Sequence, residues 1–167
     1  MKKWNSGMTL MELLASLLVL TLLMTAMGTS MDAALDSYQD SLFQSNSSML
    51  IGIVNTTLGD LLRYAQDIQI SEEGIAFTNA ELGVYNGRLT VSEDGTLQIL
   101  DLTGRTMDLL NAGVYAGLYI RDFAAVYVPP DTDGKRGGYF EILYTIENGD
   151  ATKVRHAETV VRVLNAG

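Results

Sequence analysis

Side chains able to do chemistry are few in this chain. There is no Cys, which excludes disulfides, thiolate metal sites and cysteine nucleophiles. A single His, His156, stands between Arg155 and Ala157, so a His-rich metal centre or a Ser-His-Asp triad is not expected. Its expected role is a solvent-facing or cross-strand partner. Carboxylates are plentiful, but no spacing pairs two of them as acid and base. Asp131-Thr132-Asp133-Gly134 resembles the start of a Ca²⁺ loop. A full loop needs Gly at its sixth place and Glu at its twelfth, and neither is in position. The stretch therefore reads as a Pro-led surface loop after Pro129-Pro130. Ca²⁺ at Asp131 and Asp133 is the only cofactor candidate, and the expectation is no cofactor. Asn46-Ser47-Ser48 and Asn55-Thr56-Thr57 match a glycosylation sequon too short to carry weight.

The carboxylate that demands an explanation is Glu12. It interrupts MTLMELLASLLVLTLLMTAM, residues 8–27, which is otherwise apolar apart from small hydroxyl residues. A charge in the middle of a membrane helix costs on the order of 2.5 to 3.5 kcal/mol on insertion scales, so it usually has a partner or a task. About 20 residues at roughly 1.5 Å each span one bilayer core. Lys2 and Lys3 precede the run, and the next Lys or Arg is Arg63. That asymmetry predicts a cytoplasmic N-terminus and an extracytoplasmic remainder. A cleaved secretory signal would fit the basic start and apolar core, but Gly28-Thr29-Ser30 is a poor cleavage site. A plain signal anchor fits too, with Glu12 snorkelling to the headgroups from one turn inside the helix.

A third reading gives the glutamate a function. Gly7-Met8-Thr9-Leu10-Met11-Glu12-Leu13, behind a short basic leader, resembles the class III signal of type IV pilins and pseudopilins. The resemblance implies cleavage between Gly7 and Met8 by a prepilin peptidase on the cytoplasmic side, then N-methylation of Met8. Thr9 becomes the second residue and Glu12 the fifth, as in that family. Met8 replaces the usual Phe. The resemblance further implies that Glu12 of one subunit pairs with the α-amine of a neighbour as helices bundle. That pair would cost less in lipid than either charge alone.

Beyond the apolar run the pattern turns amphipathic. Leu35, Tyr38, Leu42, Met49, Ile53, Leu58, Leu61, Leu62, Ala65 and Ile68 recur mostly three to five apart, with Asp32, Asp36, Asp40, Asp60 and Asp67 interspersed. This predicts a helix from about Met8 to about Ile70 with one buried stripe, perturbed at Gln44-Ser45-Asn46-Ser47-Ser48. No Pro interrupts it, unlike many major pilins. From Glu72 strand signals dominate. Asn86-Gly87 predicts a hairpin turn, and Glu93-Asp94-Gly95-Thr96 predicts another. Residues 113–128, 138–146 and 158–164 read as strands, ending the second of these at Asn148-Gly149. Tyr115, Tyr119, Tyr127, Tyr139 and Tyr144 read as sheet residues.

The expected fold is α+β: a long helical spine, its first half membrane-spanning, packed on a mainly antiparallel sheet. The expected divisions are residues 1–7 as leader, 8–28 as membrane or filament-core helix, 29–71 as amphipathic helix and 72–167 as head. Leu61-Leu62-Arg63-Tyr64-Ala65, the strand at 113–128 and Val161-Arg162-Val163-Leu164-Asn165 resemble the J-type minor pseudopilins of type II secretion. These resemblances imply a structural subunit rather than an enzyme. Its partners would be prepilin peptidase, other pilin or pseudopilin subunits and membrane lipid, and its final location an extracytoplasmic filament. The alternative is a single-pass anchored binding or sensor module that does not polymerise. The net charge of −9 argues against direct contact with nucleic acid.

Overall fold

A computed structural model describes residues 9–71, 74–130 and 137–164. The fold is α+β. Among the described residues one α-helix, α1 (Leu10–Arg63), precedes eight strands: β1 (Gln66–Ser71), β2 (Gly74–Asn79), β3 (Val84–Val91), β4 (Leu97–Leu100), β5 (Thr106–Asp108), β6 (Leu118–Val128), β7 (Tyr139–Asn148) and β8 (Val154–Arg162). The strands form two sheets rather than one. β1 to β5 make a five-stranded meander, and β6-β7-β8 a three-stranded sheet; every pairing is antiparallel.

The chain divides into two units, residues 1–42 and 43–167. In the first, every described side chain is exposed. In the second, α1 supplies the stripe that the sheets cover. Ser47, Leu50, Val54, Leu58, Leu61 and Leu62 are buried, three or four apart with one adjacent pair, so they share one helix face. The five apolar ones join Phe77, Leu97, Ile99, Ile120, Phe140, Ile142 and Ile146 in one core built from both sheets. The predicted stripe began at Leu35; burial begins at Ser47.

The Ser-rich stretch does not break α1. The hydroxyls of Ser47 and Ser48 turn back and donate to the Gln44 carbonyl, at 3.2 and 2.7 Å. This is the usual way a serine avoids competing with the helix from within. The helix ends at Arg63, earlier than the predicted Ile70. The Ala65 N–H closes on the Leu62 carbonyl at 3.1 Å, and the Leu164 N–H reaches the Arg63 carbonyl at 2.8 Å. Orphan carbonyls of the last turn are thereby satisfied by tertiary structure. Residues 66–71 then leave as β1, because pairing with β2 satisfies their backbone as well as another turn of helix would.

Asn86-Gly87 is not a hairpin turn. Both residues lie inside β3, where Phe77 pairs with Gly87 but Asn79 pairs with Val84, so β3 carries one extra residue. Asn86 absorbs it in the left-handed region at φ 49°. Gly87 is required by space: a Cβ there would lie 2.6 Å from Val84 Cγ1 and 2.8 Å from Ile99 Cγ2. The second predicted turn does form, with Gly95 at φ +70° and the Ser92 N–H bonded to the Thr96 carbonyl at 2.9 Å. Gly95 also ties the two sheets, since its carbonyl accepts the Ile120 N–H at 2.9 Å. The segment predicted as one strand from Gly113 starts instead with a 3₁₀ turn, Ala112–Tyr115, and β6 runs only from Leu118. Tyr115 is therefore not a sheet residue; its hydroxyl accepts the Leu97 N–H at 2.7 Å. β8 begins at Val154, four residues before the predicted Glu158.

Candidate functional site

The N-terminal part of α1 is the site that the residues single out. Its first described residues form a reciprocal cap. The Thr9 N–H and hydroxyl both donate to Glu12 Oε2, at 2.9 and 3.0 Å, and the Glu12 N–H donates to Thr9 Oγ1 at 3.3 Å. Thr and Glu three apart at a helix start are the sequence form of this capping box. Two of the helix's unpaired donors are satisfied, and the carboxylate lies where the helix dipole favours negative charge. Glu12 and Thr9 thus act together; the other two members of the predicted motif, Gly7 and Met8, lie outside the described residues.

Behind the cap, α1 is long and apolar enough to cross a membrane. Its hydroxyl residues do not spoil that. Ser16 donates to the Glu12 carbonyl at 2.7 Å, Thr21 to Leu18 at 2.8 Å, Thr25 to Thr21 at 2.6 Å and Ser30 to Ala26 at 2.8 Å. Each polar hydrogen is satisfied within the helix, as a lipid environment demands.

In the second unit, side chains that spacing did not flag tie α1 to the three-stranded sheet. Asn55 Oδ1 accepts from the Tyr144 hydroxyl at 3.1 Å and from the Thr159 hydroxyl. One acceptor on α1 therefore ties the helix to both β7 and β8. Burial pushes the Tyr144 phenol up to about 12, against a lowering by Thr159. Arg155 Nη1 donates to the Gln44 carbonyl at 3.2 Å, to Ser47 Oγ at 3.0 Å and to Ser48 Oγ at 2.6 Å. Asn79, fully buried, donates to the Leu61 carbonyl at 2.7 Å. The only signals in the sequence were polar residues at positions where a helix or strand pattern asks for apolar ones.

His156 lies exposed on β8, with Nδ1 3.3 Å from Thr145 Oγ1, a cross-strand neighbour. Asp131 and Asp133 lie outside the described residues. Among the described residues no group of three or more potential ligands gathers to hold a metal. Asp101 and Asp150 use their carboxylates locally. Hydrogen bonds from Thr103 and the Arg105 N–H lower the first, and from Thr152 the second. A cleft of about 570 Å³ opens between the two sheets, floored by Phe77, Leu89, Ile120 and Phe140 with Arg121 and Asp122 among its lining residues. Arg121 is already occupied, donating to the Glu93 carbonyl at 2.8 Å with its guanidinium 5.8 Å from the Tyr119 ring. Compared with protein-family models, curated proteins and solved structures, the chain matches none.

Proposed function

We propose that this protein is a prepilin-type structural subunit, anchored by α1 and assembled into a type IV pilus or a type II secretion-like pseudopilus. The observation that carries the reading is the placement of Glu12. It stands five residues after Gly7, counting Met8 as the first, at the head of a membrane-length apolar helix. A basic leader, a Gly at the cut, the glutamate and an apolar continuation together are more specific than any one of them. In this reading prepilin peptidase cuts between Gly7 and Met8, Met8 is methylated, and the β-rich unit is displayed outside the cytoplasmic membrane.

The capping box supports a rival use of the same residue. A carboxylate that satisfies the Thr9 N–H already has a local task, and a plain membrane anchor that never polymerises would keep it for that alone. The two readings part on processing. Mass spectrometry of the N-terminal peptide from native membranes is expected to find a chain starting at methylated Met8, and Gly7→Ala or a bulkier change to block the cut. A chain starting at Met1 returns the helix to a signal anchor, and one starting beyond Gly28 to a secreted head. Glu12→Ala should leave cleavage intact and reduce incorporation into filaments. Normal incorporation of that variant would remove the inter-subunit pairing.

A further inference from the structure

A sheet edge is a row of unpaired backbone groups, and proteins usually blunt it. Among the described residues the two sheets have four edges, β1, β5, β6 and β8, and three are blunted. β1 and β6 are interrupted by register shifts, with Asp67 and Asp122 in the left-handed region. The Ile120 N–H of β6 is also already given to Gly95. β5 is three residues long. β8 differs: it runs nine residues in unbroken register with β7 and contains neither Pro nor Gly. The Val163 N–H turns inward to the Gly138 carbonyl, and the Leu164 N–H outward to Arg63. By that alternation the backbone groups of His156, Glu158, Val160 and Arg162 point away from β7. There is space beside them. A groove of about 690 Å³ is lined by this edge and by Asn55, Gly59 and Arg63 of α1. Nothing packs within 4 Å of where a Cβ on Gly59 would stand.

We infer that β8 pairs antiparallel with β8 of a second copy of the chain, about a two-fold axis at Val160. The charges choose both the partner and the register. In a pair centred on Val160, Glu158 of each copy stands opposite Arg162 of the other, and Val160 faces Val160. These are positions whose backbone groups point outward, so each opposed pair exchanges both hydrogen bonds. Their side chains share one face of the sheet and are exposed, Val160 by 55%. Opposite charges directly across such a pair stabilise it. Other centres lose this match. Centring on Glu158 sets two carboxylates together, and centring on Arg162 two guanidiniums. Centring on Thr159 or Val161 sets Glu158 or Arg162 against Val160. A foreign strand would need the same charges in reversed order, which this strand read backwards already supplies. The result is a closed, isologous pair that uses up the edge. It needs neither cleavage at Gly7 nor a filament.

A charge swap tests the pairing in the full-length chain, purified in detergent and examined by sedimentation. The parent is expected to be a dimer. Glu158→Arg sets guanidinium against guanidinium and Arg162→Glu carboxylate against carboxylate, so each alone should yield monomer. The double variant restores the match and should restore the dimer, which simple misfolding of the single variants would not do. The absence of native Cys allows a second reading. Val160→Cys places like residues opposite each other on the axis, about 5.5 Å apart at Cα and within disulfide reach. Val154, on the same strand, would stand about 40 Å from its counterpart. Under a mild oxidant in native membranes, Val160→Cys should give a disulfide-linked homodimer and Val154→Cys none. A monomeric parent, a dimer that survives either single reversal, or equal crosslinking at both positions would each overturn the pairing. So would adducts of Val160→Cys with a different protein alone, which would give the edge to a foreign strand. The prepilin reading fails or stands separately, on the N-terminal peptide.

Discussion

Asn55 carries more than its single side chain suggests. Its amide oxygen is the shared acceptor for the hydroxyls of Tyr144 and Thr159, both on buried positions of neighbouring strands. Asn55→Ala leaves two buried hydroxyls unpaired, so a loss of about 1 to 3 kcal/mol is expected from urea unfolding of the full chain in detergent. The burial of Tyr144 adds a pH signature of its own. Its folded pKa, about 12, lies above the ordinary value of 10.0. A raised pKa means that the folded state holds the proton more tightly. The contribution is whole below pH 10 and is lost as pH rises towards about 12. Alkaline unfolding should therefore be steeper in the parent than in Tyr144→Phe; identical profiles would remove Tyr144 as the cause.

At the scale of elements, α1 answers to two different environments, and its stability should reflect only one of them in solution. Leu58 is fully buried among both sheets, and Leu58→Ala is expected to cost about 2 to 5 kcal/mol in the unfolding of the β-rich unit. Gly87→Ala should also destabilise, because Val84 and Ile99 already occupy the space a Cβ would take. The same change at Gly104, with open space around it, would be limited to the strain of its φ of +79°. A larger loss at Gly104 than at Gly87 would contradict the bulge packing. What could be read beforehand follows the strength of the local pattern. The apolar run and the alternation in β7 were legible because each repeats with one period; of the predicted stripe only Leu58, Leu61, Leu62 and Ala65 are buried, while Met49 is exposed and Leu50 and Val54 take the covered face. The end of α1 was not, since Leu61 to Ile68 suits a helix locally and only pairing with β2 decides otherwise. Asn86-Gly87 misled for a related reason: its freedom to adopt positive φ serves a bulge as well as a turn. Of the candidate site, Thr9 and Glu12 were legible as a pair in the chain. The partners of Asn55 and Arg155 were not, because they are about a hundred residues away.

For the whole molecule, the anchor and the β-rich unit make separate demands. The proposed orientation sets the acidic unit outside, where its net negative charge has no counterpart in the two lysines left inside. Protease added to intact spheroplasts is expected to digest the β-rich unit, while carbonate washing leaves the protein in the membrane fraction. Protection of the unit until the membrane is breached would reverse the orientation and the filament with it.

The bond from the Leu164 N–H to the Arg63 carbonyl has a temporal meaning. The last turn of α1 is made early in synthesis, yet its seal arrives about a hundred residues later, with the strand that follows β7. Until β8 is made and docked, Asn55 lacks one of its two donors and the Gln44–Ser48 turn lacks Arg155. Closure of such sequence-distant contacts is slow, and it cannot be completed while the chain is still emerging. The β-rich unit is thus expected to become resistant to unfolding only after its synthesis is finished. In the proposed orientation, the machinery that carries it across the membrane would therefore handle it as an open chain up to β8.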